Sequence, residues 1–174
     1  MVANYGLKVA DKSGKTVEHY IENYGSFISK LCFSLCKNTH DADDVYQETW
    51  IKIIRSLDTY DTSRPFDIWA SKICVNCFLD MCRKDKSEAH FESEEHMERL
   101  INSSRVDQSE EEDYSKLYEA ISRLTPQERV AISLFYFDDY DGKQAAQIMG
   151  KNYAHFRIII MRARNKLRKE LERL

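Results

Sequence analysis

Glycine and proline are scarce, with 5 and 2 among 174 residues. Both interrupt regular backbone, so their scarcity excludes a fold of many tight turns and short strands and favours long helices. No apolar run approaches the ~18–20 residues of a membrane span, and the N-terminus lacks the apolar core of a signal peptide. The chain is therefore read as cytoplasmic, with no membrane insertion of its own. Cysteines number 5, and an odd count argues against a closed disulfide framework. No Gly-rich phosphate loop, nucleophile–base pair or carboxylate dyad stands out. The expectation is a protein that is not an enzyme and carries no cofactor.

The cysteines deserve one further test. Cys32 and Cys36 stand at i, i+4 and Cys74 and Cys77 at i, i+3, with His40 nearby in sequence. Two packed helices with those spacings can supply zinc ligands. Free cysteine is also among the most buried residue types, and core packing is the preferred reading here. No metal is expected.

Charge is abundant, at 32%, and unevenly placed. Lys plus Arg against Asp plus Glu is 11 to 12 over residues 1–85, 3 to 10 over 86–115 and 12 to 7 over 116–174. An acidic middle and a basic end point to a nucleic-acid partner at the basic end.

Residues 1–15 form an N-terminal tail, polar and aperiodic over 1–14 and read as partly ordered. From Thr16 to about Lys37 the apolar residues Val17, Tyr20, Ile21, Tyr24, Ile28, Leu31 and Leu35 recur at three- and four-residue steps, predicting an amphipathic helix. Asn38-Thr39-His40-Asp41 breaks it, and the Asp41 side chain is expected to cap the next helix. That helix has an apolar stripe at Tyr46, Trp50, Ile53 and Leu57, while Asp43, Asp44, Gln47 and Glu48 offer a carboxylate-and-amide face. Residues 58–64 form a turn-rich loop before Pro65, which suits the first turn of a third helix. Its expected stripe is Trp69, Ile73, Cys77 and Met81. Lys86 to Ser115 is Ser-rich and acidic, with a short helical turn expected around His96 to Ile101 and otherwise no means of building a core.

The last segment is the best punctuated. Thr125-Pro126-Gln127-Glu128 is a capping box with Pro at the first helical position. Asp141 caps a second short helix that ends at Gly150. Asn152 then caps a long helix with core stripe Phe156, Ile160, Ala163, Leu167 and Leu171. Two helices across a tight turn, the second long and basic, read as a helix-turn-helix over 141–162. Residues 151–174 hold Lys151, Arg157, Arg162, Arg164, Lys166, Arg168, Lys169 and Arg173 against Glu170 and Glu172. Neutralising phosphates with such a set releases counterions, so salt-dependent DNA binding is expected. On helical geometry His155, Ile158, Ile159, Arg162 and Lys166 are assigned to the face opposite the core, with Ile159 read as widening the core stripe instead.

The run Ala42-Asp43-Asp44-Val45-Tyr46-Gln47-Glu48, the sequence from Arg64-Pro65-Phe66 through Trp69, Lys72, Asn76 and Asp80 to Arg83-Lys84, and the two capped C-terminal helices together resemble the extracytoplasmic-function (ECF) sigma factors, specificity subunits of bacterial RNA polymerase. The resemblance implies an all-α fold of two small helical domains: a tail over 1–15, a region 2-like promoter-melting domain over 16–85, an acidic flexible linker over 86–113 and a region 4-like domain over 114–174. It implies core RNA polymerase as partner, with Asp43, Asp44, Gln47 and Glu48 docking on the clamp helices of its largest subunit. Promoter DNA is the second implied partner, single-stranded downstream and duplex upstream. Minus-ten contacts would come from Tyr60, Asp61, Ser63, Arg64, Lys72, Asn76, Arg83 and Lys84. Catching unstacked bases needs a shaped loop, aromatic or amide surfaces and backbone-tracking charge, and Asn76 suits an adenine edge. Trp69 is read as core rather than as a base-stacker. Minus-thirty-five contacts would come from Lys151, Asn152, His155, Arg157, Ile158, Arg162 and Lys166. The acidic linker would run through the polymerase's positively lined cleft. Many members of the family are held by an anti-sigma factor, a further partner to expect.

The sequence also departs from the family pattern. Gln144-Ala145-Ala146 stands where Glu-Ile-Ala is usual, His155-Phe156 where Thr-Val is common, and Ile158 and Ile159 where polar or basic residues are usual. These departures bear on promoter preference, not on fold. Two rival readings remain open at this point: a helix-turn-helix regulator acting without polymerase, and a helical protein-interaction module.

Overall fold

The computed structural model describes residues 9–85 and 116–173. The acidic stretch 86–113 and the turn expected at His96–Ile101 lie outside the described residues. The chain is all-α among the described residues, and its only β feature there is an isolated bridge between Ala10 and Thr16. The first unit comprises α1 (Val17–Leu35), α2 (Thr39–Ser56), a 3-10 turn (Leu57–Thr59) and α3 (Phe66–Asp85). The second comprises α4 (116–122), α5 (Pro126–Ile132), a π-helical turn (Ser133–Phe137), α6 (Gly142–Ile148) and α7 (Tyr153–Leu171).

Helix starts follow local chemistry. Asn38, not Asp41, caps α2: its Oδ1 accepts from Asp41 N at 2.8 Å, and its Nδ2 donates to Asp41 Oδ2 at 2.8 Å. Asp41 thus sits inside the first turn, where its carboxylate faces the positive end of the helix dipole. Thr125 and Glu128 close the expected capping box on α5. Asp141 caps α6, accepting from Lys143 N at 2.7 Å and Gln144 N at 2.9 Å, and Asn152 caps α7 through His155 N at 2.8 Å. Gly150, at φ +63°, takes the left-handed turn between α6 and α7 that a Cβ would strain. Gly142 is required by close approach, since a Cβ there would lie 2.8 Å from Tyr153 Cε2.

In the first unit Ile28, Leu31, Leu35, Ile53, Leu57, Val75 and Phe78 are fully buried. Each such side chain contributes about 1.5–3 kcal/mol relative to exposure. Two sequence expectations shift. Ile21 is exposed rather than core, and the buried seam of α3 runs through Phe66, Ala70, Cys74, Val75, Cys77 and Phe78, so that of the expected stripe Cys77 is buried and Trp69, Ile73 and Met81 are half-buried. The cysteines pack in this core. Cys32 and Cys74 sulfurs lie 3.5 Å apart, and burial pushes the Cys36 thiol well above its ordinary pKa.

The described part of the N-terminal tail, from residue 9, is ordered around Asp11. Asp11 is buried and accepts from Ser13 N, Ser13 Oγ and Lys15 N at 2.8, 2.8 and 2.9 Å and from the Tyr20 hydroxyl. Burial alone would raise its pKa, but these hydrogen bonds outweigh burial and hold it at about 2.

Candidate nucleic-acid interface

The acidic face of α2 forms because Ala42, Val45, Thr49 and Trp50 are buried, which turns Asp43, Asp44, Gln47 and Glu48 to solvent. His40 Nε2 lies 3.6 Å from Asp44 Oδ2. Lys52 lies 3.7 Å from both Glu48 and Asp80 and bridges α2 to α3. Burial would lower the Lys52 pKa, but Cys77, Glu48 and Asp80 outweigh it and hold the ammonium charged. A concavity between the two helices is lined by Asp44, Gln47, Glu48, Ile51, Arg83 and Lys84 among others. The structure therefore brings the expected polymerase-docking residues beside the basic end of α3. Lys52 and the exposed Ile51 in that concavity were not picked out from the sequence, because a Lys and an Ile on a helix carry no signal until a second helix lies beside them.

The loop before α3 is a self-bonded turn. Asp61 Oδ1 accepts from Ser63 N at 3.1 Å and Ser63 Oγ at 2.7 Å, and Arg64 Nε lies 3.2 Å from Asp61 Oδ2. Hydrogen bonds from Ser63, aided by Arg64, lower the Asp61 pKa. Asp61, Ser63 and Arg64 are exposed, but Tyr60 is a correction to the expected contact set. Its ring is 4% exposed, its hydroxyl donates to Arg64 O, and it packs against Trp69 at 4.7 Å and Phe66 at 5.5 Å. Tyr60 shapes the loop from beneath and presents nothing to a base. Lys72, Asn76 and Arg83 are exposed and share one face of α3, since steps of 4 and 11 residues return to nearly the same angle. Arg83 Nη1 bonds Asp80 Oδ1 at 2.6 Å.

In the second unit α6, the Gly150 turn and α7 make a helix-turn-helix. Phe156, Ile159 and Ala163 are buried, so Ile159 widens the core stripe as the sequence reading expects. His155, Arg157, Ile158 and Arg162 are exposed. Lys151 and Lys166 are half-buried, and Lys166 Nζ lies 3.5 Å from Glu128 Oε2. Asn152 spends its side-chain oxygen on the cap. Beside Ile158 an apolar groove runs between α7, α4 and the π turn, with Ile121, Tyr136, Phe137 and Met161 in its walls and Arg157, Arg164 and Arg168 at its rim. Tyr136, Phe137, Ile158 and Met161 are each more than two-fifths exposed, a larger apolar surface than a finished fold needs.

With that geometry in place, comparison with known proteins is specific. The Sigma-70 region 2 family model matches residues 20–88 and the Sigma-70, region 4 model matches residues 114–167. The chain is thus built as a sigma-70-type subunit, region 2 preceding region 4. It is 26% identical over 153 residues to the ECF RNA polymerase sigma factor SigM of Bacillus subtilis, covering 88% of this chain and 93% of that protein. It is 27% identical over 164 residues to SigW of the same organism, covering 88% of each. The chain belongs to the ECF sigma factor family. Among solved structures, the sigma factor RpoE of Bartonella quintana, in complex with the anti-sigma factor NepR, shares the fold at TM-score 0.71 and 22% identity, over 89% of this chain and 96% of that one. CnrH, in complex with the cytosolic domain of CnrY, matches at TM-score 0.63 and 21% identity, over 90% of this chain and 87% of that one. No described helix is long and apolar enough to cross a membrane.

Proposed function

We propose that this chain binds core RNA polymerase, brings it to promoters by reading the minus-ten and minus-thirty-five elements, and melts DNA near the start site. The observation that carries this reading is the pairing of the region 2 and region 4 matches, in order, on one chain. Asp44 and Gln47, exposed on α2, dock on the polymerase clamp, with Asp43 and Glu48 beside them. Lys72 and Arg83 hold phosphates of the melted strand while Asn76 pairs with a base edge. Arg157 and Arg162 hold the duplex upstream, with Ile158 placed to touch a thymine methyl. The acidic linker runs through the polymerase cleft, its carboxylates standing where nucleic-acid phosphates would lie.

An anti-sigma factor is the second partner. The apolar groove beside Ile158 and Met161, rimmed by Arg157, Arg164 and Arg168, suits an amphipathic acidic helix. The RpoE structure, solved with the anti-sigma factor NepR, supports an anti-sigma partner.

The test is promoter-dependent run-off transcription by core polymerase supplemented with the purified chain. A discrete transcript that disappears with Asn76→Ala and Lys72→Ala together supports the assignment. Absence of any transcript across a genomic promoter library from the source organism rejects it.

A further inference from the structure

The N-terminal turn is fastened to the first helix through a single carboxylate. Asp11 N donates to Lys15 O at 2.9 Å and Val17 N to Val9 O at 3.1 Å, which closes residues 9–17 into a tight loop. Within that loop Asp11 is 6% exposed. Burying a carboxylate is costly unless its oxygens are well bonded. The bonds from Ser13 N, Ser13 Oγ and Lys15 N all fall on Oδ1 and serve the turn itself. Oδ2 accepts from the Tyr20 hydroxyl, nine residues away on α1. One oxygen thus holds the turn and the other holds a tyrosine.

That tyrosine stands under the loop that precedes α3. The Tyr20 ring is 3% exposed, stacks on Phe66 at 4.1 Å and meets Tyr60 edge-on at 6.2 Å. Tyr60 follows the 3-10 turn and Phe66 opens α3, so the two rings flank residues 61–65. Tyr60 also donates its hydroxyl to Arg64 O, and Arg64 N donates to Asp61 O at 3.0 Å. Both ends of the loop are therefore seated on one ring. Aromatic pairs accept several offsets at similar energy, so stacking alone leaves that ring free to slide. The bond from its hydroxyl to a buried carboxylate is directional and charge-assisted, and it sets where the ring stops.

We infer that Asp11 is a positioning residue for the minus-ten contacts: by holding Tyr20 it sets the seat of Tyr60 and Phe66, and thereby the shape in which residues 61–64 capture an unstacked base. The inference rests on the proposed function of that loop. Asp11 acts through Tyr20 and offers nothing to nucleic acid itself, its carboxylate being buried. A recognition loop displaced by about 1 Å loses its contacts with a base edge, whereas contacts with phosphates tolerate more slack. Loosening the seat should therefore lower selectivity for the element and leave the affinity supplied by Lys72 and Arg83 in place.

The test uses the full chain assembled with core polymerase. The probe is a single DNA strand that the wild-type holoenzyme selects from a random pool, after removal of strands that core alone retains. Affinity for that strand and for a scrambled strand of equal composition is measured for wild type, Asp11→Ala, Tyr20→Phe and the double variant. Tyr20→Phe removes only the hydroxyl, so the ring stack and the Oδ1 bonds of the turn remain. Each single variant should lose about 10-fold in the ratio of selected to scrambled affinity, the equivalent of one charge-assisted hydrogen bond. The double variant should lose no more than either single one, because all three cut the same link. Scrambled-strand affinity and co-elution with core should stay as in wild type. Equal loss on both strands would mean that Asp11 only stabilises the fold, and would overturn the positioning role. An unchanged ratio in Tyr20→Phe overturns it too, even if Asp11→Ala fails to fold. A wild-type holoenzyme that selects no strand would instead overturn the minus-ten assignment, and the positioning role with it.

Discussion

Arg129 offers the sharpest test of the energetics. It is 4% exposed, and its three hydrogen bonds go to backbone carbonyls: Leu35 O at 2.9 Å, Ser122 O at 3.2 Å and Leu124 O at 3.4 Å. Burial pulls its pKa below the usual guanidinium value. Arg129→Lys keeps the charge and most of the desolvation cost, but a single ammonium cannot reach all three carbonyls or lie flat over Phe78. Hydrogen bonds from a charged donor contribute about 1.5–3 kcal/mol each at good geometry, and the two longer ones here contribute less. Losing the fork should therefore cost about 2–4 kcal/mol. Arg129→Met has similar length and removes the charge. The desolvation relief, several kcal/mol in a buried site, offsets much of the cost of unpaired carbonyls, leaving a loss of about 1–2 kcal/mol. The predicted order is thus wild type, then Met, then Lys. Urea unfolding followed by circular dichroism measures it, and a Lys variant within about 0.5 kcal/mol of wild type would refute the reasoning.

Two carboxylates make opposite predictions with pH. Asp11, held at about 2 in the folded chain, stabilises it above the unfolded value near 4, and that stability is lost as pH falls from about 4 towards 2. Asp11→Asn should lower Tm at pH 7, with the difference closing by pH 2. Burial, aided by Asp139, raises the Asp138 pKa to about 7, and its Oδ2 has no partner among the described residues. Its stability is greatest below about pH 4 and is lost as pH rises through 7, so Asp138→Asn should raise Tm at pH 8 and leave it unchanged near pH 4. Removal of Arg157 and Arg162 together should weaken non-specific duplex binding by the full chain and flatten the slope of log K against log salt by about 1.8, from ~0.9 per phosphate. A titration by fluorescence anisotropy at several salt concentrations reads that slope, and an unchanged slope would remove α7 from the DNA interface.

The legible parts of the fold were those fixed by local chemistry. Thr125, Asp141 and Asn152 announce their helices because a capping side chain acts within three residues of itself. Asn38 was passed over for Asp41 because both types cap, and only the backbone shows which stands outside the helix. Periodicity puts Ile21 in the core although it is exposed, because a stripe gives the direction of a core but not its width, whereas Ile159 widens the α7 stripe as its sequence reading has it. Tyr60 stands among the minus-ten contacts only through the resemblance, and nothing local reveals the pocket of Tyr20, Phe66 and Trp69 into which it turns. The seam between the units was invisible for a deeper reason. Arg129 reads as a surface base and Tyr140 as a loop residue until a helix from the other unit covers them.

The proposed function depends above all on the exposed face of α2 docking on polymerase. Size-exclusion co-elution of the purified chain with core RNA polymerase from a closely related bacterium, alongside Asp44→Ala, Gln47→Ala, tests it most directly. Both residues are exposed, so the double variant should fold as wild type does. The account predicts stable co-elution of the wild-type chain and a complex weakened by the double substitution. A chain that never co-elutes with competent core, or a double variant that binds as wild type does, would contradict it.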